Sequence, residues 1–508
     1  MVQMKWLTAL LFFTATPLMA APQWLEASSD HFVIYSDQKE KDVREFADRL
    51  ERYHNAMVAG LGLQNKKPSP SNRVTVYVVR NEGAVQKLAE DKSKFVAGFY
   101  LPRAGGSVAF VPRVDISLEQ ASWTEVVLLH EYAHHVMYSV SNRSFPLWYS
   151  EGFAEFYASS KFEKDGGVGL GLPALHRGGE LFNATDVSIE RLLDTEAYRK
   201  NKKKGYDAFY GRSWLLFHYL RFSKERNGQV PDYFKRLAGG EKEIDAAKGA
   251  FGDLKKLDKE LDRYLLNTKW TYKPIAADLV KPGPIATKLL SKGASAMMPV
   301  HIISRRGVDE KSAAELLPQA RSIAALYPGD PFVLSALSEA EFDAGNNAEA
   351  IASADLAVAA NNGQINAHLQ KAYAMARMAK DSDNPDADWP KVRKQFLAIN
   401  ALENDNPIPL IEFYQSFQQQ GKQPTKNAVE GLEWALELSP FDASLRLTVA
   451  QQLMNDEKYD EAIADLKLLA NNAHETEMTE TVLSLITKAE TARDAKKAET
   501  TKDAASKS

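Results

Sequence analysis

The chain contains no cysteine. That absence excludes disulfides, iron–sulfur clusters, thiolate zinc sites and thiol nucleophiles, so any bound metal must be held by His, Asp or Glu. An excess of one charge is also missing. With 63 Lys and Arg against 67 Asp and Glu, the net charge of −4 leaves no electrostatic footprint for nucleic acid or anionic lipid. No apolar run reaches the ~20 residues that cross a bilayer, so no transmembrane segment is expected in the mature chain. What is present is ordinary globular composition: 44% hydrophobic, 26% charged and 10% aromatic over 508 residues. Such a chain can fill about two to four domains.

Residues 1–21 carry one cation, Lys5, then an apolar run from Trp6 to Thr14. Pro17-Leu18-Met19-Ala20-Ala21 follows, with small residues where a signal peptidase cuts. The pattern predicts a cleavable signal peptide and a periplasmic or secreted chain. Without cysteine there is no lipoprotein attachment site.

From residue 22 to 275 the pattern is that of an α+β domain with a helical second half. His31 to Tyr35 and Val74 to Val79 are rich in β-branched and aromatic residues and read as strands. Between them Val43, Phe46, Leu50, Tyr53 and Met57 recur at helical spacing, which predicts an amphipathic helix ending near Leu61. Gly106 to Val111 reads as another strand, placed at an edge by its flanking prolines. Ser122-Trp123-Thr124-Glu125 fits a capping box, so a helix should start near Trp123 and run to about Tyr138. It is apolar on nearly every face, the mark of a buried helix. Trp148 to Ser159, Arg212 to Phe222 and Leu254 to Leu266 read as further helices, and the glycines at 166, 167, 169 and 171 as a loop.

Pro274, Pro282 and Pro284 mark a linker over 276–285. From 286 to 491 the chain is Ala-rich, helical and weakly repetitive. Pro331-Phe332-Val333-Leu334 leads to Gly345-Asn346-Asn347-Ala348-Glu349-Ala350-Ile351, and Phe441-Asp442-Ala443 leads to Lys458-Tyr459-Asp460-Glu461-Ala462-Ile463. Ala428 and Ala462 lie 34 residues apart, the tetratricopeptide period. These segments resemble tetratricopeptide repeats, which implies an all-α superhelix of about four helix pairs, one interrupted by the polar insertion Asp381 to Asp388, plus a closing helix. Residues 492–508, made largely of Lys, Ala, Thr and Asp, read as a disordered tail.

Chemistry concentrates in His130-Glu131-Tyr132-Ala133-His134. Four residues apart on a helix is one face, so both imidazoles can meet one ion with Glu131 beside it. His135 lies some 140° round from His130 and is no ligand. Trp148-Tyr149-Ser150-Glu151-Gly152-Phe153-Ala154-Glu155 then places two carboxylates four apart on a second helix. A zinc site with an open coordination position needs a third ligand, and its imidazoles need an outer carboxylate to orient them. Glu151 is assigned to the metal and Glu155 to the ring of His130.

With this pattern the chain resembles the gluzincin metallopeptidases, whose signature is HExxH followed by a Glu from a downstream helix. Leu147 to Glu155 is similar to the tryptophan-x-x-glutamate-glycine-x-alanine segment of that clan. Tyr210-Gly211-Arg212-Ser213-Trp214-Leu215-Leu216-Phe217-His218-Tyr219-Leu220 resembles a segment in its aminopeptidase branch, where a tyrosine opens a helix ending in Tyr-Leu. The resemblance covers about 31 to 270 and implies a zincin-like metallopeptidase domain with one zinc per chain. It makes Tyr210 the hydroxyl that stabilises the tetrahedral intermediate, with Tyr206 the alternative. The branch's strand for reading a free amine carries a Glu; the matching Gly105 to Phe110 carries none, which implies cleavage within a chain.

The chemistry expected is hydrolysis of peptides or unfolded proteins, with Glu131 as base for a zinc-activated water. Extended substrate would add to the strand residues Gly106, Ser107, Val108, Ala109 and Phe110. The rival expectation is a periplasmic scaffold whose repeats bind a protein partner and whose zinc domain is inert.

Overall fold

The computed structural model describes residues 22–90, 97–141, 143–200, 206–470 and 478–506; the expected signal peptide, 1–21, lies outside them. The first half opens with β1 (Leu25–Ser28), β2 (Phe32–Ser36), α1 (Glu40–Leu61), β3 (Val74–Val79), α2 (Glu82–Ala89), β4 (Phe99–Leu101) and β5 (Val108–Pro112). Then come α3 (Trp123–Val140), α4 (Leu147–Ala158), β6 (Ser160–Phe162) and β7 (Val168–Leu170), and the short helices α5 (Gly178–Asn183), α6 (Ile189–Leu192) and α7 (Thr195–Lys200). α8 (Phe209–Phe222), α9 (Gln229–Ala238), α10 (Glu243–Phe251) and α11 (Leu254–Leu265) lead to β8 (Lys273–Ile275) and β9 (Ala286–Leu289).

Six strands form a mixed sheet in the order β4-β5-β3-β2-β1-β9, with β2, β3 and β5 parallel and β4, β1 and β9 antiparallel to their neighbours. The apolar stripe of α1 packs with α3 in the core on one face of this sheet. The Tyr53 hydroxyl donates to the Leu129 carbonyl at 2.9 Å and fixes the height of α1 against α3.

Three expectations change. The strand read over 106–111 begins at Val108 and is interior, paired to β3 on one side and β4 on the other. Pro112 does not force an edge, because it sits at the last register position, opposite Val79. The edge on this side, β4, is only three residues long and leaves too little pattern to read. Ser107, Val108, Ala109 and Phe110 are fully buried, so Gly106 to Phe110 is not an open strand for substrate. The glycine-rich stretch is also more than a loop: Gly169 lies in β7, the middle strand of a small sheet β6-β7-β8. A Cβ on Gly169 would meet the Tyr272 ring at 2.9 Å, so glycine lets the two pack closely.

The domain boundary moves as well. The segment 276–285 does not separate two units, since β9 returns to pair with β1. α12 (Lys292–Arg306) then covers the second face of the sheet, laying Ala294, Met298 and Ile302 on Trp24, Tyr77, Val108 and Phe110. A strand buried on both faces explains why apolar residues face both sides along Val74-Thr75-Val76-Tyr77-Val78-Val79, with only Thr75 polar and part-exposed.

α13 (Glu310–Leu326), α14 (Pro331–Asp343), α15 (Asn347–Ala360), α16 (Ile365–Lys380), α17 (Pro385–Leu402), α18 (Pro407–Gln419), α19 (Lys426–Leu438), α20 (Ala443–Asn455), α21 (Tyr459–Ala470) and α22 (Met478–Ser506) complete the chain. From α12 onward they form five stacked hairpins and a closing helix, one hairpin more than the sequence suggested. α14 and α16 start 34 residues apart, and Ala428 and Ala462 are both fully buried, as tetratricopeptide-like packing requires. The first half of the insertion, 381–384, is a short turn, and Pro385 opens α17, a position where its missing N–H is no loss. The segment expected to be disordered from 492 is helical to Ser506; α22 buries Val482 and Ala489, and its many Ala and Lys residues favour helix.

The array also touches the first half at its far end. Asp442 accepts from the Ala104 amide at 2.7 Å, Asn72 donates to the Leu438 carbonyl at 2.8 Å, and Phe441 lies 4.1 Å from the ring of His135. Because α12 closes the core, a chain ending at 285 should bind a hydrophobic dye and lose cooperative thermal unfolding. Met298→Asp in the full chain should lose more than ~3 kcal/mol in denaturant titration, the cost of an unpaired buried charge. Cooperative unfolding of the short form at wild-type temperature would contradict the shared core.

Candidate metal centre

α3 starts where the sequence places it. The Ser122 hydroxyl accepts from the Glu125 amide and the Glu125 carboxylate accepts from the Ser122 amide, both at 3.4 Å. Glu125 also takes a fork of hydrogen bonds from Arg49 of α1, at 2.5 and 2.8 Å. α4 packs along α3 and is crossed by α8 at Gly152, where a Cβ would lie 2.5 Å from the Ser213 carbonyl oxygen. Only glycine permits that approach, and it brings the first turn of α8 beside the histidines.

His130, His134 and Glu151 are 7%, 4% and 1% exposed. The two Nε2 atoms are 3.2 Å apart, and the Glu151 Oε2 lies 3.3 Å from that of His130 and 3.5 Å from that of His134. Zinc held tetrahedrally at ~2.0–2.1 Å has its ligand atoms ~3.3–3.4 Å from one another, so this triangle has the size of three corners of such a site. Neither oxygen of Glu151 accepts a hydrogen bond. Both imidazoles turn their Nε2 toward Glu151: Glu155 Oε1 lies 3.1 Å from the Nδ1 of His130, an ion-pair contact without an aligned hydrogen bond, and Ser150 Oγ lies 3.4 Å from that of His134. The donor set therefore offers three ligands of a kind and spacing that fit a divalent cation.

Charge is balanced around it. Burial disfavours charge on His130, but Glu155 and Glu151 outweigh it and its pKa is pushed up to about 10. Burial would raise the Glu151 carboxyl, yet the two imidazoles hold it well below the usual carboxylate range. Glu155, fully buried, is held low in the same way by Arg177, His130 and His176.

Glu131 is half-buried, about 100° round α3 from His130, on the side facing β4. Burial chiefly, and the charge of Glu131 in addition, raise the Tyr100 hydroxyl pKa. Tyr210 opens α8 with its ring 6.5 Å from that of His130, and the charge of Glu151 is the largest cause raising its hydroxyl pKa. Tyr206 is 66% exposed. His135 turns away, pairing its Nδ1 with the Tyr100 hydroxyl at 2.9 Å, and is no part of the cluster. Among the described residues His130, His134 and Glu151 form the one group that could hold a metal.

Two residues went unread in the sequence. His176 Nε2 lies 2.6 Å from Glu155 Oε2, and Arg177 donates to Glu155 Oε1 through Nε at 3.0 Å and Nη2 at 2.5 Å. They stand in a short turn after the glycine-rich stretch, and nothing local marks a His-Arg pair there as a partner of Glu155.

Residues 126–239, which contain His130, His134, Glu151, Glu155, His176, Arg177 and Tyr210, match the family model described as protein of unknown function DUF1570. No curated protein matches the sequence. Among solved structures, a thermophilic tetratricopeptide protein from Thermus thermophilus is 14% identical with a TM-score of 0.32, covering 39% of this chain and 98% of its own. PilF of Pseudomonas aeruginosa is 13% identical with a TM-score of 0.31, covering 40% and 88%, and yeast Tom70 is 15% identical with a TM-score of 0.25, covering 64% and 73%.

Metal analysis by mass spectrometry should find one zinc per wild-type chain after loading and none in His134→Ala or Glu151→Ala. Glu155→Gln should keep the site but weaken zinc affinity roughly 10- to 100-fold.

Proposed function

We propose that the protein is an exported zinc-dependent peptidase that cleaves within peptides or unfolded chains. The carrying observation is the buried Glu151 carboxylate, without a hydrogen bond, facing two imidazole Nε2 atoms at ligand-to-ligand spacing. Zinc bound there would supply a Lewis acid for a substrate carbonyl and acidify a water. The chain's own residues supply the rest. Glu131, next to the ligands but outside the ligand set, takes the proton of the attacking water and returns it to the leaving amine. Tyr210, across the cluster, donates to the developing oxyanion, a contribution of ~3 kcal/mol where the donor is well placed. Glu155, 3.1 Å from the Nδ1 of His130, steers that ring by its charge so that Nε2 faces the site.

The substrate strand is reassigned from β5 to β4. Among the described residues β4 and β9 are the sheet's two edges, and of these β4 lies against α3, where Tyr100 meets His135. An extended peptide pairing with Phe99–Leu101 would run past Glu131.

The tetratricopeptide-like array favours a second reading, a scaffold with an inert zinc domain, because stacked hairpins offer extended surface to protein partners. A general base beside three ligands favours the peptidase, since a structural site has no use for one. Glu131→Gln should keep zinc and abolish casein hydrolysis, while Tyr210→Phe should lower kcat roughly 10²- to 10³-fold with little change in KM. A zinc-loaded wild type that cleaves nothing across a broad peptide library would leave the scaffold.

A further inference from the structure

Arg177 does more than neutralise Glu155. Its guanidinium forks onto Glu155 Oε1, its Nη1 donates to Glu180 Oε2 at 3.2 Å, and its Cζ lies 4.7 Å from the centre of the Tyr210 ring, over its face. Glu180 in turn accepts from the Gly211 amide at 2.7 Å, one of the amides that the first turn of α8 leaves without a helical partner. One planar cation thus touches the carboxylate that orients His130, the ring of Tyr210, and the carboxylate that anchors the turn carrying Tyr210. Without it, Glu155 would keep His176 and His130 but lose two of its donors in a site with no solvent to replace them.

We propose that Arg177 is a positioning residue that sets the His130 imidazole and the Tyr210 ring at once, so that metal affinity and oxyanion stabilisation depend on the same side chain. The proposal rests on the zinc-peptidase reading of the site. A lysine could not replace the arginine: it keeps the charge but has neither the fork that grips a carboxylate nor a flat face to lie over an aromatic ring.

The test is Arg177→Lys in the full chain, with Leu175→Ala as an exposed neighbour outside these contacts. Zinc Kd, read by competition with a chromogenic chelator, should weaken roughly 10- to 100-fold in Arg177→Lys and stay unchanged in Leu175→Ala. Arg177→Ala should recover part of its affinity when millimolar guanidinium is added. At saturating zinc, Arg177→Lys should lower kcat more than it raises KM. In a Tyr210→Phe background the same change should leave kcat unaltered, because the ring hydroxyl it positions is gone. Wild-type zinc affinity in Arg177→Lys, or an equal kcat loss in both backgrounds, would overturn the proposal. If the wild type hydrolyses nothing but Arg177→Lys still weakens zinc, the peptidase reading fails while the positioning of Glu155 and His130 is supported.

Discussion

Burying an ionised carboxylate costs several kcal/mol unless an opposite charge and good hydrogen bonds compensate it. Glu151 has no hydrogen bond, and two imidazole nitrogens lie 3.3 and 3.5 Å from its Oε2. Protons could neutralise the cluster, but at 3.2 Å at most one fits between the two Nε2 atoms, and neither nitrogen aligns a hydrogen bond on the carboxylate. A divalent cation would satisfy all three donors together and would displace the protons on binding. The surrounding architecture makes sense as the means of holding these groups in that relation.

That architecture works by close helix crossings and buried ion pairs. The capping box and Arg49 fix the start of α3, and so the height at which His130 and His134 face α4. Gly152 lets α8 cross α4 at backbone contact, which brings Tyr210 to the cluster. The turn at 175–177 ties α4 to the first turn of α8 through Glu155, Arg177 and Glu180. Behind the site the sheet is finished by β9 and α12, and Phe441 of the array rests on His135 of the histidine helix. The helical array is therefore a structural part of the first half rather than an appendage joined by a linker.

The clustering of these side chains was legible in the sequence because its logic is local: a four-residue spacing puts His130 with His134, and Glu151 with Glu155, on one face of a helix. The capping box and the stripe of α1 were legible for the same reason. Strand order was not. β4 has three residues, β5 is flanked by prolines that suggested an edge, and pairing depends on contacts far apart in the chain. The prolines at 274, 282 and 284 read as a linker because an irregular connection inside a unit has the same composition as one between units. Arg177 escaped notice because a carboxylate's partner can come from any nearby turn, with no spacing to announce it.

Anomalous diffraction at the zinc edge, from crystals of the full chain grown with the metal, tests the central claim most directly. A single peak about 2.0–2.2 Å from His130 Nε2, His134 Nε2 and one Glu151 oxygen is the expected result. A cavity without a peak in excess zinc, or zinc seated elsewhere with Glu151 turned from the imidazoles, would contradict it.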